Sequence, residues 1–377
     1  MLDETGGMLK ITSMAKSVKG LLLVPAVFLI VSQFSKVAVG SPPFSAMFVF
    51  GDSLIDNGNN NNLITIAKSN YMPYGIDFYQ GPTGRFCNGR TIIDFLGEIL
   101  GIPYLPAYES VGTIENALQG VNYASAAGGI LIQTGQFLGD RFSLSQQVSN
   151  FQSTLSQLRK QMDGKNMSQY LAKSIVIMVI GSNDYINNYL IPTLYPTQYY
   201  YTPDEYAKFL IDQYSNHILT LYNEGLRKFL LAAIGPLGCI PNQLAKGLAP
   251  PGNCVSFVNE MVKTFNALLR YLVDWLNSNY QEAIFLYGNT YDIIEDILND
   301  PSTYGFNVTD QGCCGIGRNQ GQLTCLPLSI PCMKRNEYVF WDAFHPTESV
   351  NAILAKRAYA GPPSDCHPIN LQKMAQI

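Results

Sequence analysis

The sequence is short of charge. Only 14% of its 377 residues are Asp, Glu, Lys or Arg, and their balance is −4. There is no basic stripe to hold a nucleic-acid backbone, so nucleic acid is not an expected partner. No block of like charge marks an interaction tail. Histidine is scarcer still: His217, His345 and His367 are all the chain offers for base chemistry near neutral pH. There is no C-x-x-C and no H-x-x-x-H, and the adjacent pair Cys313-Cys314 is poor spacing for two ligands of one metal. Those gaps argue against a zinc site. A Walker A loop, a dinucleotide fingerprint and a G-x-S-x-G elbow are also missing. No apolar run reaches the ~20 residues that a transmembrane helix needs.

What is present is globular, with 47% hydrophobic residues. The longest apolar run, Leu21 to Val31, follows Lys16 and Lys19 and precedes the small residues Ala38, Gly40 and Ser41. This is the pattern of a secretory signal peptide over residues 1–40, with an N-terminal membrane anchor as the rival reading. Asp3 and Glu4 sit oddly in such a leader, and Met14 would start a more typical one. Two sequons, at Asn166 and Asn307, fit an exported chain, as do eight cysteines. Cys239 and Cys254 flank a Pro/Gly-rich loop and suggest a local staple. The pairing of the rest stays open.

Four short runs are continuously apolar: "AMFVF" (Ala46–Phe50), "SIVIMVIG" (Ser174–Gly181), "KFLLAAIG" (Lys228–Gly235) and "AIFLYG" (Ala283–Gly288). They read as strands covered on both faces. "GVNYASAAGG" (Gly120–Gly129) is a fifth, weaker candidate. Between them, residues 144–161, 204–224 and 255–279 carry apolar residues at helical spacing, and a helix is expected over 346–360 with Pro346 in its first turn. Strands alternating with helices predict a parallel α/β sheet in a single domain over residues 41–377.

In such sheets, sites form beyond the carboxyl ends of the strands. Three strands end there in polar or Gly-rich turns: Gly51-Asp52-Ser53, Gly128-Gly129 and Gly181-Ser182-Asn183-Asp184. A serine attacks an acyl group only when a base takes its proton. Of the three histidines, only His345, in "FWDAFHPTE", has a carboxylate close enough in sequence, Asp342, to orient its ring. The bland alternative is that Asp342 and His345 cap the following helix. Oxyanion donors are available from the Ser53 N–H, the Asn183 amide and a glycine, Gly128 or Gly129. Turn chemistry would explain each of these singly. Asp52 is expected to hold the turn, with Asn57 and Asn59 bonding nearby backbone. The Tyr/Pro-rich stretch 185–206 is either a packed loop or the lining of a pocket.

These blocks, together with "PTGRFCNGRTIIDFLGE", "IGPLGCIPNQ" and "QGCCG", resemble the plant-type GDSL esterase/lipases of the SGNH-hydrolase superfamily across nearly all of residues 41–377. The resemblance implies a three-layer α/β/α sandwich of flavodoxin-like type. It implies a nucleophile at Ser53, Asp342 and His345 as its partners, and an oxyanion hole from Ser53, Gly128 and Asn183. Gly128 is preferred to Gly129 because the match A-S-x-x-G ends there. The implied activity is a secreted, extracellular serine esterase/lipase of the cell wall or apoplast, acting on small-molecule or lipid esters. It needs no metal or cofactor and has no membrane span once the leader is removed. Transfer of the acyl group to a sugar or lipid hydroxyl is the alternative, and a non-catalytic wall-binding glycoprotein the remote one.

Overall fold

Five parallel strands form the centre of the molecule, and each matches an apolar run of the sequence. They are β1 (Met47–Gly51), β2 (Gly120–Asn122), β3 (Ile175–Val179), β4 (Lys228–Ala232) and β5 (Ile284–Gly288). The computed structural model describes residues 42–377, so the expected leader over residues 1–40 lies outside the described residues. The sheet order is β2-β1-β3-β4-β5, with the register Met47↔Gly120 on one side of β1 and Met47↔Ile175 on the other. Two further strands, β6 (Val308–Gly312) and β7 (Tyr338–Phe340), pair separately. A last short strand, β8 (Cys366–His367), closes the β5 edge in antiparallel sense.

The runs are continuously apolar because both faces of the sheet are covered. On β1, Phe48 and Phe50 enter one core while Met47 and Val49 enter the other. β3 divides likewise, with Val176 and Met178 on the first face and Ile175 and Ile177 on the second. Four helices cover the first face: α2 (Leu144–Leu158), α3 (Gly164–Lys173), α4 (Pro203–Asn223) and α5 (Ser256–Asn279). On the second face lie α1 (Ile92–Leu100), α6 (Thr290–Asn299) and α7 (Glu348–Ala360). The result is a three-layer α/β/α sandwich. Among the described residues no helix is long and apolar enough to cross a membrane.

Two local expectations change. The fifth run is strand only as far as Asn122, and its remainder turns beneath the serine loop. Polar side chains of that loop take up its backbone groups: Asn59 Nδ2 donates to the Asn122 and Ala124 carbonyls, and Asp56 Oδ2 accepts from the Ala126 N–H. The last helix starts at Glu348 rather than Pro346, because Pro346 bridges to Phe340 and the Thr347 N–H donates to the Val339 carbonyl. The expected staple Cys239–Cys254 is present, and the C-terminal cysteines pair as Cys313–Cys332 and Cys314–Cys325.

Candidate active site

Ser53 stands two residues past the end of β1, partly open to solvent. The turn that carries it is anchored from several directions. Asp52 Oδ1 accepts from the Leu54 N–H at 3.0 Å, as a turn-holding residue would. The buried Gln147 on α2 clamps Gly51, accepting from its N–H and donating to its carbonyl, both at 2.8 Å. Asn57 and Asn59 do bond backbone, but of a remote segment: Asn57 Nδ2 reaches the Leu105 carbonyl at 2.7 Å. Asn57 ties the serine loop to the segment after α1 and Asn59 ties it to the end of β2 and the loop beyond, rather than stabilising their own turn.

His345 reaches the serine. Its Nε2 lies 2.7 Å from Ser53 Oγ, and its Nδ1 lies 2.8 Å from Asp342 Oδ1 and 2.9 Å from Oδ2. Asp342 is wholly buried and also accepts from the Phe344 and His345 N–H groups at 2.9 and 2.8 Å. Helix α7 begins six residues after Asp342, behind Thr347, so the D-x-x-H pair is not its cap. Burial alone would raise the Asp342 carboxyl. The adjacent imidazole and its hydrogen-bond donors outweigh burial and hold it below the usual carboxylate range. The other histidines lie elsewhere: His217 is on α4, and His367 on β8 places Nε2 2.8 Å from Asp274.

Three neighbours of this dyad carried no signal in the sequence. Tyr74 donates to Asp342 Oδ2 at 2.5 Å and Thr324 donates to the same oxygen at 2.9 Å. Thr324 adjoins Cys325, whose disulfide to Cys314 fixes the segment beside β7. Phe86 lays its ring 5.1 Å from the imidazole of His345. The buried ion pair Arg85–Asp94, with both hydrogen bonds at 2.7 Å, holds the loop that delivers Phe86.

The oxyanion side differs from expectation at the glycine. The Ser53 N–H has no protein partner among the described residues, and Asn183 uses one amide hydrogen on the Gly128 carbonyl at 2.9 Å, leaving the other available. The Gly128 N–H, however, is spent on the Ser125 carbonyl at 3.0 Å, closing a tight turn. Gly128 therefore aims Asn183 through its carbonyl instead of offering a donor. Gly129 has no room for a side chain, since a Cβ there would lie 2.7 Å from Asp184 Oδ1, and its N–H has no protein partner among the described residues. It is Ala127, at φ 64, that lines the cavity with Ser53, Asn183 and His345, and its N–H has no protein partner among the described residues.

Two cavities meet at Ser53, Asn183, Ile186, Phe344 and His345. One, of about 90 Å³, is narrow and runs between Val179, Leu237, Ile294 and Leu354. The other, of about 520 Å³, is wide and open. The Tyr/Pro-rich stretch serves both expected purposes. Tyr185, Tyr189 and Tyr206 pack on one another, while Ile186, Leu190 and Ile191 line the wide cavity. Asp52 borders the narrow cavity with Oδ2 buried and unpartnered among the described residues, and burial pushes its pKa up to about 7. No cluster of metal-ligating side chains occurs among the described residues.

The sequence profile of the GDSL-like lipase/acylhydrolase family matches residues 47–358, a span that holds every residue of this site. The chain is similar to GDSL esterase/lipase At1g71250 of Arabidopsis thaliana, at 54% identity over 92% of this chain and 93% of the relative. It is similar to At5g08460 of the same name and organism, at 52% over 97% and 96%. GDSL esterase/lipase 7, also from Arabidopsis thaliana, is 48% identical over 89% and 93%. A serine at the end of the first strand of a parallel sheet, met by an imidazole from the far end of the chain, thus sits inside a match of nearly full length, and the chain belongs to the GDSL-like lipase/acylhydrolase family.

Proposed function

We propose that this carboxylic ester hydrolase is a secreted serine enzyme that works through an acyl-serine intermediate. Ser53 Oγ attacks the ester carbonyl while His345 Nε2 takes its proton, and Asp342 orients and stabilises the imidazolium. The tetrahedral oxyanion is held by the Ser53 N–H, the free amide hydrogen of Asn183 and the Ala127 N–H. The alkoxide leaves with the proton from His345. Water, deprotonated in turn by His345, then attacks the acyl carbon and frees Ser53.

The observation that carries this reading is the unbroken chain from Ser53 Oγ to His345 Nε2 and from His345 Nδ1 to Asp342, with contacts of 2.7 and 2.8 Å. The test is hydrolysis of p-nitrophenyl esters from acetate to palmitate by the wild type and Ser53→Ala. The variant keeps its fold and loses turnover, and the chain-length profile sizes the pocket. Wild-type rates in Ser53→Ala would refute the reading.

Acyl transfer is the second reading, favoured by the wide cavity of about 520 Å³, which has room for an alcohol beside the acyl-enzyme. Transesterification products in the presence of an added alcohol would select it. Secretion is supported by the leader-like N-terminus, by the three disulfides and by the exposure of both sequon asparagines, Asn166 and Asn307. A non-catalytic wall-binding role would leave Ser53 unreactive, so labelling by a serine-directed phosphonate decides against it.

A further inference from the structure

The wide cavity carries a charge that its chemistry as an esterase does not use. Lys68 and Lys246 line it together with Ser53 and His345, and no Asp or Glu is among its lining residues. Neither lysine has an ion-pair partner within 4.0 Å among the described residues. This occurs in a protein whose net charge is −4, so the two lysines stand out against the overall charge. The rest of the lining is mixed: Ile66, Phe137, Leu190 and Ile191 form apolar patches that lower the dielectric near a charge pair, beside the polar Asn187, Asn242 and Thr324.

The narrow cavity has the opposite character. Its walls are mainly aliphatic and aromatic away from Ser53, with Thr290 and Asn351 as polar exceptions, and its single acidic residue, Asp52, is 1% exposed. A bond cleaved at Ser53 therefore lies between a mainly apolar slot and a bay lined by two lysines that have no ion-pair partner among the described residues.

We infer that the preferred substrate is an ester with one apolar half, seated in the narrow cavity, and a second half bearing an anionic group, a phosphate or carboxylate, held between Lys68 and Lys246. This rests on the reading of Ser53 as the nucleophile and adds the substrate class to it. Neutral esters of the same chain length fit the slot but leave both ammonium groups without a partner. Charge-assisted contacts are the strong ones, so the anionic group raises kcat/KM by about tenfold or more.

The experiment compares 1-octanoylglycerol with 1-octanoylglycerol 3-phosphate, which share the scissile bond and acyl chain and differ only in the anion. Wild-type enzyme should prefer the phosphate about tenfold, and the preference should shrink as NaCl rises from 20 to 500 mM, as screening requires. In the double variant Lys68→Gln/Lys246→Gln the ratio of the two kcat/KM values should fall to about one. Equal rates on the two esters in the wild type, or a ratio unmoved by salt and by the double variant, would overturn the inference while leaving the esterase reading intact. Failure to hydrolyse either ester or p-nitrophenyl octanoate would instead sink the parent reading. A carboxylate analogue, the octanoyl ester of glycolic acid, tells whether phosphate geometry or charge alone is recognised.

Discussion

Tyr74 donates its hydroxyl to the carboxylate of Asp342 across 268 residues of sequence. The bond is buried, and the tyrosine ring is packed edge-on to Trp341 at 6.1 Å and Phe86 at 5.9 Å. Asp342 is thus positioned by a residue from the far side of the chain. Tyr74→Phe keeps the ring and removes one donor. With less of its charge satisfied, Asp342 stabilises the imidazolium more strongly. The acid limb of the kcat/KM profile should move to higher pH and the plateau should drop about threefold to tenfold. A loss of rate with no movement of the limb would reduce Tyr74 to packing.

Asn183 stands four residues past the end of β3, with its amide aimed by the Gly128 carbonyl and its Oδ1 accepting from Asn187 at 2.6 Å. Removing one preorganised donor from an oxyanion hole costs about 10²–10³ in kcat. Asn183→Ala should show that loss with little change in KM, measured on a short-chain ester at saturation. A large rise in KM at constant kcat would place Asn183 in ground-state binding instead.

Three buried carboxyls make stability fall as pH rises. Burial raises Asp52 to about 7 and Asp56 and Asp184 to about 6, each from 3.8. Between pH ~4 and ~7 the folded state therefore binds more protons than the unfolded chain, and unfolding free energy declines with pH. Asp77 and Asp342 are lowered, so their contribution is present above pH ~4 and is lost as acid protonates them. The melting temperature should peak in mild acid and drop on the order of 5 °C from pH 5 to 7.5. Asp52→Asn should remove about half of that slope, and nearly all of it above pH ~6. A melting temperature constant or rising over the interval would contradict the assignment.

Ala127 holds φ 64, a region that costs an L-residue ~1–2 kcal/mol. Ala127→Gly relieves that strain at a cost of about 0.5–1 kcal/mol in chain entropy. The variant should melt about 1–3 °C higher and keep its activity, since the backbone N–H is retained. Ala127→Val, β-branched at positive φ, should lose both stability and turnover. Melting curves and kcat/KM on the two variants check the pair of outcomes.

Strands β1, β3, β4 and β5 were legible because burial on both faces leaves them almost uninterrupted by polar residues, whereas the short or part-exposed β6, β7 and β8 carry no such run. Ser53, Asp342 and His345 were legible because each lies in a local motif at a strand end or turn. The oxyanion loop was not. The Gly128 N–H is taken by the Ser125 carbonyl next to the positive φ of Ala127, and an alanine gives no hint of such a backbone. Tyr74, Thr324 and Gln147 were invisible for another reason: their contacts to Asp342 and Gly51 join distant segments and leave no periodicity. The start of α7 moved by two residues because Pro346 and Thr347 answer to β7, a tertiary pull that helix-start rules do not contain.

Two thiols, Cys87 and Cys366, take no part in the disulfides, and both are buried. Burial pushes both above the ordinary thiol range, Cys366 to about 12. Both should therefore resist alkylating reagents while the fold is closed. Cys87 sits in the loop that presents Phe86 to His345, and Cys366 in the strand that seals the sheet edge. The chain therefore carries two built-in gauges of breathing. The speed at which each accepts a label meters the opening of the site at one and the fraying of the sheet at the other, with no foreign probe installed.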